Sequence, residues 1–152
     1  MSYKPEVVEK GEQPTLIIRT RTPVSELPAA LGRCFGEIVQ YLGELGEHPL
    51  GAPFAGYHNM DMQDLDVEIG FPVAKSFASK GDIQPGSIPC GKQATCLHVG
   101  AYSGVEPAYT ALQQFVAESG YEPTGVAYEF YLNDPGEVPE EKLETLIVFP
   151  LK

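Results

Sequence analysis

Along the chain, short stretches in which apolar residues recur every second position are separated by two longer stretches in which they recur every third or fourth. The first period is that of a strand with one buried face, and the second is that of a helix with an apolar stripe. "TLIIRTR" (residues 15–21) is β-branched and alternates, and reads as a strand. Residues 24–45 carry Leu27, Leu31, Phe35, Ile38, Leu42 and Leu45 at helical spacing. Ser25 suits the cap of that helix, Pro28 is tolerable in its first turn, and Gly46 suits its exit. Glycines at 32, 36 and 43 lower its intrinsic propensity, so it depends on packing. Strands "PFAGYHN" (53–59) and "DVEIGFPV" (66–73) follow, joined by the polar hairpin "MDMQDL".

The same order returns after residues 75–91, whose glycines, prolines and serines mark a crossover loop with room for one short strand. A strand "ATCLHVG" (94–100) leads to a helix that opens at Ser103, with Glu106 completing a capping box, and stops before Gly120. Its stripe is Val105, Tyr109, Leu112, Phe115 and Val116. The strand "VAYEFYLNDP" (126–135), a turn, and the strand "LETLIVFPL" close the chain. The two halves also match residue by residue. "GEHPLGAPFAGY" and "GYEPTGVAYEFY" share Gly, Pro, Gly and a final Tyr at one shift (125 − 51 = 74). The same shift pairs Phe35 with Tyr109, Ile38 with Leu112 and Leu42 with Val116, while Phe71-Pro72 matches Phe149-Pro150 across a hairpin of different length.

The expected architecture is therefore a single α+β domain over residues 1–152, built as two β-α-β-β units related by a pseudo-twofold axis. The repeats span about 14–74 and 92–152, each an antiparallel sheet with one helix packed on it. Ten basic residues against twenty-one acidic ones give a formal net charge of −11. That balance disfavours direct binding to nucleic acid or anionic membranes and weakly attracts cations. The absence of an apolar run long enough to span a bilayer, and of a secretory signal in "MSYKPEVVEKGEQ", places the protein in the cytoplasm. Cys34, Cys90 and Cys96 make neither a CxxC pair nor an even set, so reduced thiols are expected. His48, His58 and His98 are scattered, and neither a metal site nor a cofactor is expected.

With the helices drawn to one side, each sheet has an uncovered face. In 126–132 the more continuously apolar set, Val126, Tyr128, Phe130 and Leu132, is expected to meet the helices, which leaves Ala127, Glu129 and Tyr131 on the uncovered face. By correspondence Ala55 and Tyr57 join them. In 66–73 the same reasoning turns Val67, Ile69, Phe71 and Val73 inward and leaves Asp66, Glu68 and Gly70 opposite. If the uncovered faces curl together they line a ligand groove between the halves, with tyrosine walls, carboxylates and space left by small residues. That chemistry suits a lipophilic cation. The alternative is an ordinary solvated glutamate on a half-exposed strand.

The stretches "GAPFAGYHN", "DVEIGFPV", "IPCGKQATCLHVGAYSGVEPAYTAL" and "YEFYLNDP" followed by a strand ending "FPL" resemble, in this order, the GyrI-like small-molecule-binding family. That family is also seen as the effector-binding domain of multidrug-responsive and AraC-type transcription regulators. The resemblance implies a duplicated β-α-β-β fold with an aromatic-lined pocket, in which the glutamate matching Glu129 meets the ligand's positive charge. Tyr131, Tyr57, Glu68, Tyr102 and Tyr109 are carried over as further ligand contacts. Cys90 and Ala101 stand where the family shows other small residues, glycine or proline.

Three functions are compatible with these residues. The first is a stand-alone binding protein for amphipathic, cationic small molecules, acting as a sensor or by sequestration. Any DNA-binding half is then expected on a separate regulator chain, since no helix-turn-helix precedes Thr15. The second is a hydrolase of strained electrophiles in which Glu129 with Tyr131 or Tyr57 acts as general base and acid. The third, suggested by the family name, is modulation of DNA gyrase through a protein contact.

Overall fold

The computed structural model describes residues 3–152. In chain order the elements are β1 (Glu6–Lys10), β2 (Gln13–Thr22), α1 (Leu27–Glu44), β3 (Phe54–Tyr57), β4 (Leu65–Pro72), β5 (Gln84–Ile88), β6 (Gly91–Val99), α2 (Glu106–Glu118), β7 (Ala127–Tyr131) and β8 (Glu144–Pro150). Single 3-10 turns at Val24–Glu26 and Tyr102–Gly104 precede the two helices. The fold is mixed α+β, and every strand pair described is antiparallel. The chain divides into two compact units. One is Glu12–Pro89; the other joins the residues up to Gly11 to Cys90–Lys152.

In the first unit the strands lie in the order β3-β4-β2-β5, and in the second in the order β7-β8-β6-β1. The pairings coincide at constant offsets. Thr15 faces Pro72 as Gln93 faces Pro150, both 78 residues on (93 − 15 = 78). Phe54 faces Gly70 as Tyr128 faces Val148, with an offset of 74 on the third strand (128 − 54 = 74) and 78 on the fourth. Cys34, Ile38 and Leu42 are buried in α1 where Ala108, Leu112 and Val116 are buried in α2 (108 − 34 = 74). The connection into the helix is thus four residues shorter in the second unit and its last hairpin four residues longer.

Neither helix uses the cap expected from its sequence. Ser25 and Ser103 lie inside the 3-10 turns, Glu106 is already the first residue of α2, and no side-chain cap bond forms at either start. Pro28 and Pro107 stand in the first turns instead, where a missing N–H removes a donor that had no partner to lose. At the other end Gly46 (φ 72°) and Gly120 (φ 76°) take the left-handed conformation that reverses the chain.

Two strands lie outside the set whose registers match between the units. β5 falls within the expected crossover loop. β1 was not anticipated: "EVVEK" is short and flanked by charge, which suits an edge strand and masks its period. β1 pairs with β6 from Glu6↔Thr95 to Lys10↔Gly91, so the second unit is assembled from both ends of the described chain.

Candidate functional site

The side chains that meet a helix in each unit follow from register, because residues directly opposite on neighbouring strands share a face. In the second unit Ala94, Cys96, Ala108, Leu112, Val116, Ala127, Ile147 and Phe149 form one buried core. Ala127 therefore faces α2, and Glu129 and Tyr131, at the strand period of two, face the same way. This reverses the orientation expected from sequence, which placed Ala127, Glu129 and Tyr131 on the uncovered face. The same correction applies to Ala55 and Tyr57, which stand opposite Ile69 and Val67 on the side of β4 whose Phe71 packs against Phe35 of α1. The small residues at 55 and 127 lie on the helix-covered side of their strands. Val67, Ile69 and Phe71 face the helix as expected, with Asp66, Glu68 and Gly70 opposite.

Under α2, neighbouring rows of residues cross β6, β8 and β7. One is Cys96, Ile147 and Glu129; the next is His98, Thr145 and Tyr131. The half-buried carboxylate of Glu129 accepts hydrogen bonds on both oxygens: Tyr109 of α2 donates to Oε2, and Tyr131 donates to Oε1 at 3.1 Å. Burial pushes the Glu129 pKa above the usual carboxylate range. The two tyrosine hydroxyls and the nearby His98 pull against that shift without cancelling it. Tyr102 meets the Tyr131 ring edge-on at 5.5 Å. Its own pKa is raised by burial and by the carboxylates of Asp134 and Glu129. Tyr109 packs on Phe149 at 5.9 Å.

His98 is buried (4 % exposed). Its Nε2 donates to the Ala101 carbonyl at 2.9 Å, which leaves Nδ1 as the acceptor of the Tyr3 hydroxyl at 3.2 Å in the neutral ring. Thr145 is fully buried (0 % exposed), and its Oγ1 has no hydrogen-bond partner among the described residues.

The first unit shows how the same framework is filled without this chemistry. At the offsets of 74 and 78, Glu129 corresponds to Ala55, Tyr109 to Phe35, Thr145 to Val67, His98 to Thr20 and Cys96 to Ile18. The Tyr109–Phe149 ring pair has its counterpart in Phe35–Phe71, at 5.4 Å. A largely apolar core satisfies the fold there, with Tyr57 keeping the hydroxyl at the place of Tyr131, so the carboxylate and the Tyr109 hydroxyl in the second unit are additions the fold does not require.

Of the residues singled out from sequence, Glu129, Tyr131, Tyr109 and Tyr102 come together in the second unit. Tyr57 and Glu68 belong to the first. Glu68 is buried on the side of β4 away from α1 and is paired with His58 Nε2 at 2.6 Å. Sequence reasoning missed His98 and Thr145. The available signal was their position in the strand period, in phase with Cys96 and Ile147. Cys34 and Cys96 are buried, and loss of hydration raises both thiol pKa values, which disfavours the reactive thiolate.

Residues 3–152 match the family of GyrI-like small molecule binding domains. The chain belongs to this family. Among solved folds it is similar to the C-terminal domain of EcmrR, with a TM-score of 0.84 and 24% identity over 100% of this chain and 99% of that one. It is likewise similar to EcmrR in a complex with DNA, with a TM-score of 0.85 and 24% identity over 99% of this chain; there it spans 57% of that protein's length. SAV2435, solved bound to tetraphenylphosphonium, gives 0.70 at 15% identity over 100% and 94% of the two chains. A protein from Listeria innocua described as a hydrolase gives 0.69 at 18% identity over 98% and 92%. At these identities the likeness is one of fold. Against curated proteins the sequence has no match. The GyrI-like assignment agrees with the resemblance read from the sequence motifs. Among the described residues no helix is long and apolar enough to cross a membrane.

Proposed function

We propose that this GyrI-like domain binds amphipathic organic cations, with the Glu129 carboxylate as counter-ion and the rings of Tyr102, Tyr109 and Tyr131 as walls, and that it serves as an effector sensor or a sequestering protein. The observation that carries the reading is the carboxylate itself. It is held under α2 by two tyrosine hydroxyls at a point where the other unit has Ala55 for Glu129 and Phe35 for Tyr109, with Tyr57 in the place of Tyr131. A half-buried acid that the fold does not require, among aromatic rings, offers a cation both charge and ring faces. SAV2435, of similar fold, is bound to a cation of this class, which supports the reading. Isothermal titration with tetraphenylphosphonium tests it: wild type should bind and Glu129→Gln should bind markedly more weakly. Equal affinities would remove Glu129 from the site.

A hydrolytic reading is favoured by one feature, the pair of tyrosine hydroxyls on a carboxylate whose pKa burial raises above the usual carboxylate range. Glu129 would then take a proton from water while Tyr109 or Tyr131 gives one to the opened ring. Incubation with an epoxide, followed by product analysis, separates this from binding alone, because Glu129→Gln should abolish turnover and leave binding of the neutral diol intact.

A further inference from the structure

Thr145 Oγ1 is a fully buried hydroxyl without a partner among the described residues, and it lies one row from Glu129 on the same face. Tyr131 is its direct cross-strand neighbour on one side and His98 on the other. His98 has both ring nitrogens engaged, Nδ1 with Tyr3 and Nε2 with the Ala101 carbonyl, so it offers the hydroxyl nothing. A buried polar group in this condition is costly. Valine has nearly the shape of threonine and no such cost, and the other unit carries Val67 at this very place (145 − 67 = 78), buried and packed. The fold therefore accepts the apolar isostere, and the hydroxyl calls for another explanation.

Resting on the cation-binding reading above, we infer that Thr145 is a specificity-determining residue. Its hydroxyl accepts a hydrogen bond from the ammonium N–H of the ligand, so that the site selects protonated amines over quaternary cations of the same size. Thr145 and Glu129 are diagonal neighbours on adjacent strands, with β-carbons roughly 7–8 Å apart or somewhat less. One ammonium nitrogen placed between them reaches a carboxylate oxygen with its charge and Oγ1 with its N–H. The ammonium takes the place of the Tyr131 hydroxyl on Oε1, and the Tyr131 ring, turning away, uncovers Thr145. A quaternary cation can satisfy the charge and leaves Oγ1 unpaired.

The test uses two probes that differ by one methyl group, dimethyl(phenylbutyl)amine, protonated at neutral pH, and trimethyl(phenylbutyl)ammonium, titrated calorimetrically into wild type, Thr145→Val, Thr145→Ser and Glu129→Gln. Wild type should prefer the protonated amine by roughly tenfold or more, the usual worth of a charge-assisted hydrogen bond. Thr145→Val should lose that preference while keeping its affinity for the quaternary probe, and its melting temperature should rise by about 2–4 °C as the unpaired hydroxyl disappears. Thr145→Ser, which keeps the oxygen, should keep the preference, and it carries the test if the valine variant fails to fold. A preference that survives in Thr145→Val, or is absent from wild type, overturns the inference and leaves the cation site standing. If wild type binds neither probe, or Glu129→Gln binds both as well as wild type does, the counter-ion reading falls and the inference with it.

Discussion

Glu129 sits in an environment that opposes its own charge, and that has measurable consequences at the scale of one residue. Burial raises its pKa in the folded protein above the value in the unfolded chain. The native state therefore holds an extra proton in the window between the two values. This contribution to stability is fully present below the unfolded pKa and is lost as pH rises through the folded one. Glu129→Gln, which cannot ionise, should consequently melt at a higher temperature than wild type at neutral pH, and the difference should shrink on acidification. Differential scanning calorimetry across a pH series reads it directly. A bound cation favours the ionised form, so binding should release protons in the same window and weaken as pH falls through the ligand-free pKa. Tyr109→Phe removes a hydrogen bond that lowers this pKa, and should move the midpoint of the pH profile upward. Carboxyl chemical shifts followed by NMR would show it. Glu129 was conspicuous in the sequence, because a lone acid in an aromatic strand stands out. Its partners were only half legible: Tyr109 and Tyr131 came through family resemblance and strand period, whereas His98 in "ATCLHVG" and Thr145 in "LETLIVFPL" carried only the weak signal of lying in phase with Cys96 and Ile147.

At the scale of elements, the hydrophobic periods placed both helices and the strands of the repeated set, and the glycines placed the helix exits. Gly120→Ala should cost about 1–2 kcal/mol, since a β-carbon is strained at φ 76°, and denaturant melts monitored by circular dichroism would measure the loss. What the period did not decide was which face of β7 meets α2. Alternation identifies a buried face only when the other is wet, and here Ala127 (9 % exposed) and Tyr128 (3 % exposed) on opposite faces are both buried. The rule that the more continuously apolar set meets the helix decided the matter, and it failed because two tyrosine hydroxyls satisfy Glu129 under α2. In "DVEIGFPV", where an acid and a glycine alternate with Val67, Ile69 and Phe71, the same reasoning succeeded. The unexpected start of both helices has a similar origin: a proline in the first turn and a 3-10 turn ahead of it replace a side-chain cap that the sequence also offered.

At the scale of the whole molecule, the net charge of −11 should speed the arrival of cations and repel polyanions. Stopped-flow association of tetraphenylphosphonium should slow as salt is raised, with a smaller change in dissociation. Fluorescence anisotropy should show no sequence-dependent binding of this chain to duplex DNA. The route of the chain through its two units bears on how the protein is made. β1 leaves the ribosome before the other strands described, yet its partner β6 begins at Gly91, after the whole of Glu12–Pro89. The first unit can collapse while β1 still waits as an unpaired edge, and the second unit closes only when β8 has been translated. The half that carries Glu129 is thus completed after the other. A cation that stabilises it can rescue a weakened variant only after β8 has been made, by mass action on the completed fold, and does nothing for a nascent chain whose β1 has already been captured by a neighbour.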